Sequence, residues 1–153
     1  MSPVKVSTVH TWKINNWASA LQCIKTGEKA SKSDIFFSPT FEVKTCTGAV
    51  STWRIKASPV TQASSRQCLC WRDQKCGFLF LSLEMQNGEK LTNGLYQLKA
   101  KKKCCFGRLT EVTRTPWLDL QSTHLGLPLD ETCFSSKDII IQATIEDRVE
   151  MSN

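Results

Sequence analysis

The chain has 153 residues, of which 41% are hydrophobic and 22% charged, and its formal net charge is +6. These values lie near the averages for globular proteins and indicate one domain, which excludes intrinsic disorder and a collagen-like chain. Apolar runs such as Phe78–Leu81 are far shorter than the roughly 20 residues that span a bilayer, which excludes a membrane-spanning helix.

The N-terminal residues 1–7 contain no apolar core of the kind that a signal peptide has. We therefore expect the cytoplasm or the nucleus as the compartment. The eight cysteines are an even number, as in a disulfide framework, but that inference applies to short secreted chains. Free thiols are the expectation here, and a secreted, disulfide-rich binding protein is a distant alternative.

In the first half of the chain, alternation of apolar and polar residues predicts three strands. They lie at His10–Ile14, Thr40–Lys44 and Thr52–Ala57, and Gly48 predicts a hairpin or short loop between the last two. The stretch from Ser58 to Gly77 has no such alternation and contains a proline, two arginines and three cysteines. It is predicted to be a surface loop.

Strand patterns return in the second half of the chain. Phe78–Met85, Leu95–Ala100 and Phe106–Val112 are predicted strands, and Asp138–Glu146 is rich in β-branched residues. The Asn87-Gly88 pair predicts a turn. Seven or so short strands, with no helix between them, predict an antiparallel β-sandwich.

Motifs for catalysis or metal binding are not found. The chain has no glycine-rich phosphate loop, no HExxH and no GxSxG. Cys68, Cys70 and Cys76 do not have a zinc-site spacing, and neither His10 nor His124 is placed by spacing beside a nucleophile. We expect a protein that is not an enzyme and that has no cofactor and no metal.

The basic run from Lys99 to Lys103 is expected to be a solvated strand end. Binding of single-stranded nucleic acid would require aromatic residues interleaved with the basic ones, and the aromatic residues lie elsewhere. The expected partners therefore include no nucleic acid and no membrane.

Five landmarks, in the same order, resemble the MATH domain (meprin and TRAF homology). They include a Trp-x-Ile start, a Ser-Pro-x-Phe segment and a Leu-Ser-Leu strand. The landmarks lie at Thr11–Trp17, Ser38–Val43, Trp53–Pro59, Phe80–Met85 and Asp138–Ile145. The resemblance implies an all-β, eight-stranded antiparallel sandwich of TRAF/MATH type at residues 8–147, with tails at 1–7 and 148–153.

The resemblance also implies a function, that of a non-enzymatic adaptor that binds short linear peptides of client proteins across one sheet. The pattern is nearest to the MATH half of speckle-type POZ proteins, which hold substrates for a cullin-based ubiquitin ligase. Those proteins contact the ligase through a BTB domain, which this sequence lacks, so any link to a ligase is expected to be indirect, through a BTB-containing relative. Two alternatives remain open: a self-associating, TRAF-like scaffold, and a degenerate stand-alone copy that acts as a competitor.

The family lines its peptide groove with aromatic residues from three segments. By resemblance, these positions fall at Glu84, at Tyr96 or Leu98, and at Trp117 with Asp119. The two carboxylates would favour a peptide that carries Lys or Arg. Tyr96 and Trp117 are also candidates for the core.

Overall fold

The computed structural model describes residues 4–14, 35–62, 76–88, 93–103, 107–122, 125–129 and 139–149. These residues are nearly all in strands, and none of their helices is long and apolar enough to cross a membrane. A 3-10 turn at Leu120–Ser122 separates two of the strands. The strands are β1 (Val4–Lys13), β2 (Phe36–Phe37), β3 (Phe41–Lys44), β4 (Val50–Gln62), β5 (Cys76–Asn87), β6 (Gly94–Lys103), β7 (Leu109–Arg114), β8 (Leu118–Asp119), β9 (Leu127–Leu129) and β10 (Ile139–Val149).

The described strands form two antiparallel sheets of five strands each. The first sheet has the order β1-β10-β6-β7, and β8 pairs with the same edge of β6 as β7 does. The second has the order β2-β4-β5-β9, and β3 pairs with the same edge of β4 as β2 does. Each sheet therefore has four strand positions, one of which is an interrupted edge.

Among the described residues, one hydrophobic core takes side chains from both sheets. On β10, the residues at every second position are fully buried, and those between them are partly exposed until Glu146. Strands β4 and β5 bury alternate residues of the second sheet in the same way. The fully buried hydrophobic residues of these three strands are Ile55, Ala57, Leu79, Leu81, Ile139, Ile141, Ala143 and Ile145. The all-β class and the antiparallel pairing predicted from the sequence are confirmed, and the architecture is sandwich-like.

The hairpin predicted at Gly48 is confirmed. The amide of Thr45 donates to the carbonyl of Ala49 at 2.8 Å, and Gly48 has φ +90°, a conformation that favours glycine. β3 and β4 then pair from Lys44↔Val50 onward, which places Val43 in the core.

The loop predicted from Ser58 to Gly77 is wrong at both ends. β4 continues to Gln62, β5 begins at Cys76, and the two strands pair in register over this length. Pro59 is tolerated because, among the described residues, this part of β4 has a neighbour on the β5 side only. Pairing with a distant strand, which no local pattern reports, extends β4. The rest of the predicted loop, residues 63–75, lies outside the described residues.

β1 and β10 pair in register from Val4↔Val149 to Lys13↔Ile140. Near their outer end, Lys5 and Arg148 each contact the carboxylate of Glu146 at 2.9 Å. Burial raises the pKa of Glu146, but the hydrogen bonds and charges of the two cations outweigh this effect, so the pKa is lowered. This carboxylate is therefore neutralised by its own strand and by β1.

Cys46 also holds the hairpin to β10. Its amide donates to a carboxylate oxygen of Asp147 at 2.7 Å, and its thiol, which forms no disulfide, donates to the Asp147 carbonyl at 3.2 Å. The other cysteine side chains lie outside the described part of the chain.

Two valines on strands offer a matched test of the core. Val43→Ala should lower the free energy of unfolding by about 2 kcal/mol, because Val43 is only 1% exposed and the change leaves a cavity. Val9→Ala should change it by less than about 0.5 kcal/mol, because Val9 is 58% exposed. Urea denaturation of both variants measures the difference. Equal losses would contradict the burial described here.

Candidate functional site

The outer edge of the first sheet is interrupted between β7 and β8. Pro116 has no N–H and cannot continue the ladder with β6, so β7 ends at Arg114 and β8 begins at Leu118. The interruption is held in place by Thr115, which is buried. Its amide donates to the carbonyl of Leu98 at 2.9 Å, and its hydroxyl accepts from the amide of Leu98 at 3.1 Å.

Trp117 lies two residues after Thr115, and 43% of its surface is exposed. Its two chain neighbours line a cavity of about 540 Å³, at the place where the β7–β8 edge of the first sheet meets the β9 edge of the second. The polar lining consists of Thr113, Arg114 and Thr115. The apolar lining, which is larger, includes Phe80, Pro116, Leu118, Leu125, Leu127 and Pro128. Trp117 and the cavity thus form an apolar site with one cation in its wall.

The far wall of the cavity is fixed by two contacts. A Cβ atom at Gly126 would collide with the carbonyl oxygen of Leu81, so only glycine lets the chain pass this close to β5. The hydroxyl of Tyr96 lies 3.0 Å from the carbonyl oxygen of Ser122 and 2.6 Å from that of Leu125, and it donates to both. Burial raises the pKa of Tyr96 to about 12. The core thereby positions the segment that carries the cavity wall.

Tyr96 and Leu98, proposed from the resemblance as groove residues, are both fully buried. They are at alternate positions of β6 and face the core, as Ala100 does. The structure thus gives Tyr96 the core position that the sequence had left open. Tyr96 supports the cavity wall through the hydrogen bonds of its hydroxyl group to the carbonyls of Ser122 and Leu125.

Glu84 lies on β5, in the second sheet, with its side chain turned away from the core. Arg54 donates to one carboxylate oxygen from Nη2 at 2.6 Å and from Nε at 3.0 Å, and Gln86 donates to the same oxygen at 2.7 Å. Burial raises the pKa of Glu84, but the hydrogen bonds from Arg54 and Gln86 outweigh it and the pKa is lowered. Arg54 also lies 3.5 Å above the ring of Phe37. The negative charge of Glu84 is therefore already balanced by the positive charge of Arg54.

Asp119 is exposed and lies on β8, opposite Leu95. One of its oxygens accepts from the amide of Gln121 at 2.9 Å. Asp119 belongs to the first sheet and Glu84 to the second, and neither lines the cavity. Sequence reasoning missed Phe80 and Arg114, which do line it. No local signal could have found them, because the cavity is made by segments that meet only in the folded chain.

The described residues contain no group of three or more His, Cys, Asp or Glu side chains placed to hold a metal ion. His10 stacks on Phe41 with ring centroids 4.2 Å apart, and its Nε2 atom is buried without a hydrogen-bond partner. Burial lowers the pKa of His10. His124 and Cys133 lie outside the described residues.

No protein-family model matches this chain, and no curated protein matches it either.

Tyr96→Phe tests the link between the core and the cavity wall. The variant should lose about 1–2 kcal/mol of unfolding free energy at neutral pH, because two carbonyl groups lose their donor. In wild type the folded-state pKa is near 12 and the reference value is 10.0, so the unfolded state releases this proton first as the pH rises. The stabilisation that the protonated Tyr96 hydroxyl gives to the folded state is complete below pH 10 and is lost as the pH rises towards 12.

Chemical denaturation of both proteins at several pH values measures this effect. The stability of wild type should fall more steeply above pH 10 than that of the variant. All other ionisable groups are the same in the two proteins, so their effects cancel in the comparison. Parallel curves would contradict a buried, hydrogen-bonded Tyr96.

Proposed function

We propose that this chain is a non-enzymatic adaptor domain of MATH type that binds short linear peptides of client proteins. The observation that carries the proposal is the half-exposed Trp117 beside an apolar cavity at a sheet edge. A large aromatic side chain next to a pocket is the usual anchor of a peptide or protein interface. Client peptides would place an apolar side chain in the cavity.

The adjacent edge strand supports binding of an extended peptide. Among the described residues, β7 pairs with β6 only, so its outer N–H and C=O groups can accept a further strand. The pairing of β7 with β6 shifts register between Ala100 and Lys101. Such bulges are common at sheet edges and beside binding sites, where they re-aim side chains.

Two further features are in keeping with the proposed family. Counting each interrupted edge as one position gives four strand positions in each sheet, as an eight-stranded sandwich requires. Trp12 and Trp53, from the first and third landmarks, are both buried in the core. By resemblance to speckle-type POZ proteins, the clients would include substrates of a cullin-based ubiquitin ligase, in the cytoplasm or the nucleus.

The charges around the cavity favour a peptide of the opposite sign to the one expected from the sequence. Arg114 is the charged residue in the cavity lining, whereas Glu84 is paired with Arg54. Glu111 lies 3.7 Å from Arg114, but both side chains are exposed, and such a pair is weak. We therefore propose that an acidic residue follows the apolar anchor of the peptide.

Trp117→Ala should abolish capture of client proteins. The comparison uses wild type, Trp117→Ala and the control Phe37→Ala, which removes an aromatic ring of similar exposure from the second sheet. Proteins captured from native lysate are identified, and a peptide from a shared region of the clients is then titrated by fluorescence anisotropy. Loss of this anchor should weaken binding by about 2 kcal/mol, or roughly thirtyfold.

The melting temperature of each variant separates loss of binding from loss of folding. An unchanged melting temperature with lost binding supports the proposal. Equal binding by wild type and Trp117→Ala would contradict it. Self-association in analytical ultracentrifugation without any captured client would instead favour the scaffold alternative.

A further inference from the structure

The chain contains two Asn-Gly pairs, and the fold holds them differently. Asn87 is the last residue of β5, and both it and Gly88 are exposed. Asn93 precedes β6 and is exposed, but Gly94, the first residue of β6, is buried. Glycine has no Cβ, so its backbone nitrogen is open to the side chain of the residue before it. In such a pair the backbone nitrogen of glycine can displace the side-chain nitrogen of asparagine.

At the first pair, the backbone of Gly88 already lies against the side chain of Asn87. The amide of Gly88 donates to Oδ1 of Asn87 at 2.8 Å. The carbonyl carbon Cγ is bonded to that oxygen at about 1.2 Å, so it lies within about 4 Å of the Gly88 nitrogen. Reacting atoms that are held about 3–3.5 Å apart are in near-attack geometry, which a small rotation of the Asn87 side chain would provide. The pair is exposed, so water and hydroxide ion can reach it.

At the second pair, the backbone of Gly94 is held by its neighbours. Gly94 is the register partner of Asp147 in the β6–β10 ladder. A Cβ atom at Gly94 would collide with the side chain of Leu120, so the chain packs closely there. Ring closure between Asn93 and Gly94 would turn this peptide group out of its position. The reaction at Asn93 therefore requires local opening of the chain, which costs free energy.

We propose that Asn87 is a site of spontaneous deamidation in the folded protein, and that the fold protects Asn93 from the same reaction. Hydroxide removes the amide proton of Gly88, and the nitrogen then attacks Cγ of Asn87. The bond from Cγ to the side-chain nitrogen breaks, and that nitrogen takes up a proton from water and leaves as ammonia. The product is a five-membered succinimide ring.

Water opens the succinimide ring at either of its two carbonyl carbons. Attack at Cγ breaks its bond to the Gly88 nitrogen and gives aspartate. Attack at the main-chain carbonyl carbon breaks the other bond to this nitrogen and gives isoaspartate, whose chain continues through the side chain. In both cases the net reaction consumes one water, releases one ammonia and leaves a carboxylate at position 87.

Isoaspartate at position 87 does not fit the end of β5. Asn87 is the register partner of Thr52, and a Cβ atom at Gly88 would collide with the backbone of Val50 and Ser51. Gly88 therefore passes close to the start of β4. The isoaspartate linkage adds one carbon to the main chain before Gly88, which displaces it from this position. We expect the product to weaken the pairing of β4 with β5 at this end.

The test follows deamidation at both asparagines in the full chain. The protein is incubated with reductant at neutral and at mildly alkaline pH, either folded or unfolded in guanidinium chloride. It is then digested at acidic pH, where further deamidation is slow, and the peptides that contain Asn87 and Asn93 are measured by mass spectrometry. An isoaspartate methyltransferase assay counts the isoaspartate product. Asn87→Gln is the control variant, because a glutamine would have to close a less favourable six-membered ring.

In the unfolded chain, the two asparagines should react at similar rates. In the folded chain, the rate at Asn93 should fall roughly tenfold or more, because Gly94 must first leave the ladder, whereas the rate at Asn87 should change by less than about threefold. The rate at Asn87 should rise with pH, because the attacking nitrogen must lose its proton. Aged wild type should be less stable to urea than fresh protein, and aged Asn87→Gln should not.

Three results would overturn the inference. One is equal protection of Asn87 and Asn93 by folding. Another is formation of isoaspartate at the same rate in Asn87→Gln as in wild type, which would place the reaction elsewhere. The third is unchanged stability of wild type after full conversion at Asn87, which would contradict the argument from the position of Gly88. Asn87 does not line the cavity beside Trp117, so each of these results is independent of the proposed function.

Discussion

The in-register pairing of β10 with both β1 and β6 is the constraint on which the rest of the structure depends. Side chains alternate along a strand, so the register that places Ile141 and Ile145 in the core also determines which residues face outward. A slip of one residue would exchange the two faces. The same pairing that buries the core therefore assembles the outward lysines of β6 beside Lys13. The positive face is a consequence of packing and not a separate structural element.

The cavity depends on that core through a few polar contacts. Thr115 fixes the interrupted edge to β6, and Tyr96 fixes the opposite wall, in each case by hydrogen bonds to backbone groups. Gln97 adds a third contact, since its side-chain amide donates to the carbonyl of Thr115 at 3.0 Å. Buried polar groups that are satisfied in this way specify one arrangement of the chain. Trp117 can stay half-exposed because Thr115 before it and Leu118 after it are both held against β6 by backbone pairing.

Much of the fold was predictable from the sequence, because alternation and turn residues are local signals. The strand at Thr52–Ala57 and the turn at Gly48 are examples. The extension of β4 to Gln62 was not predictable, because it depends on a partner that enters 14 residues later. The site was less predictable still. Tyr96 reads equally well as groove or core until its neighbours are known, and the charge of Glu84 is cancelled by Arg54, which lies 30 residues earlier.

The cavity beside Trp117 has one charged residue in its lining, Arg114, and its side chain is exposed. An apolar anchor and a charged residue contribute differently to binding. Long-range attraction to Arg114 mainly raises the rate of association, whereas burial of an apolar side chain beside Trp117 mainly slows dissociation. Salt screens the first contribution far more than the second. High salt should therefore lower the association rate of a client more than it raises the dissociation rate.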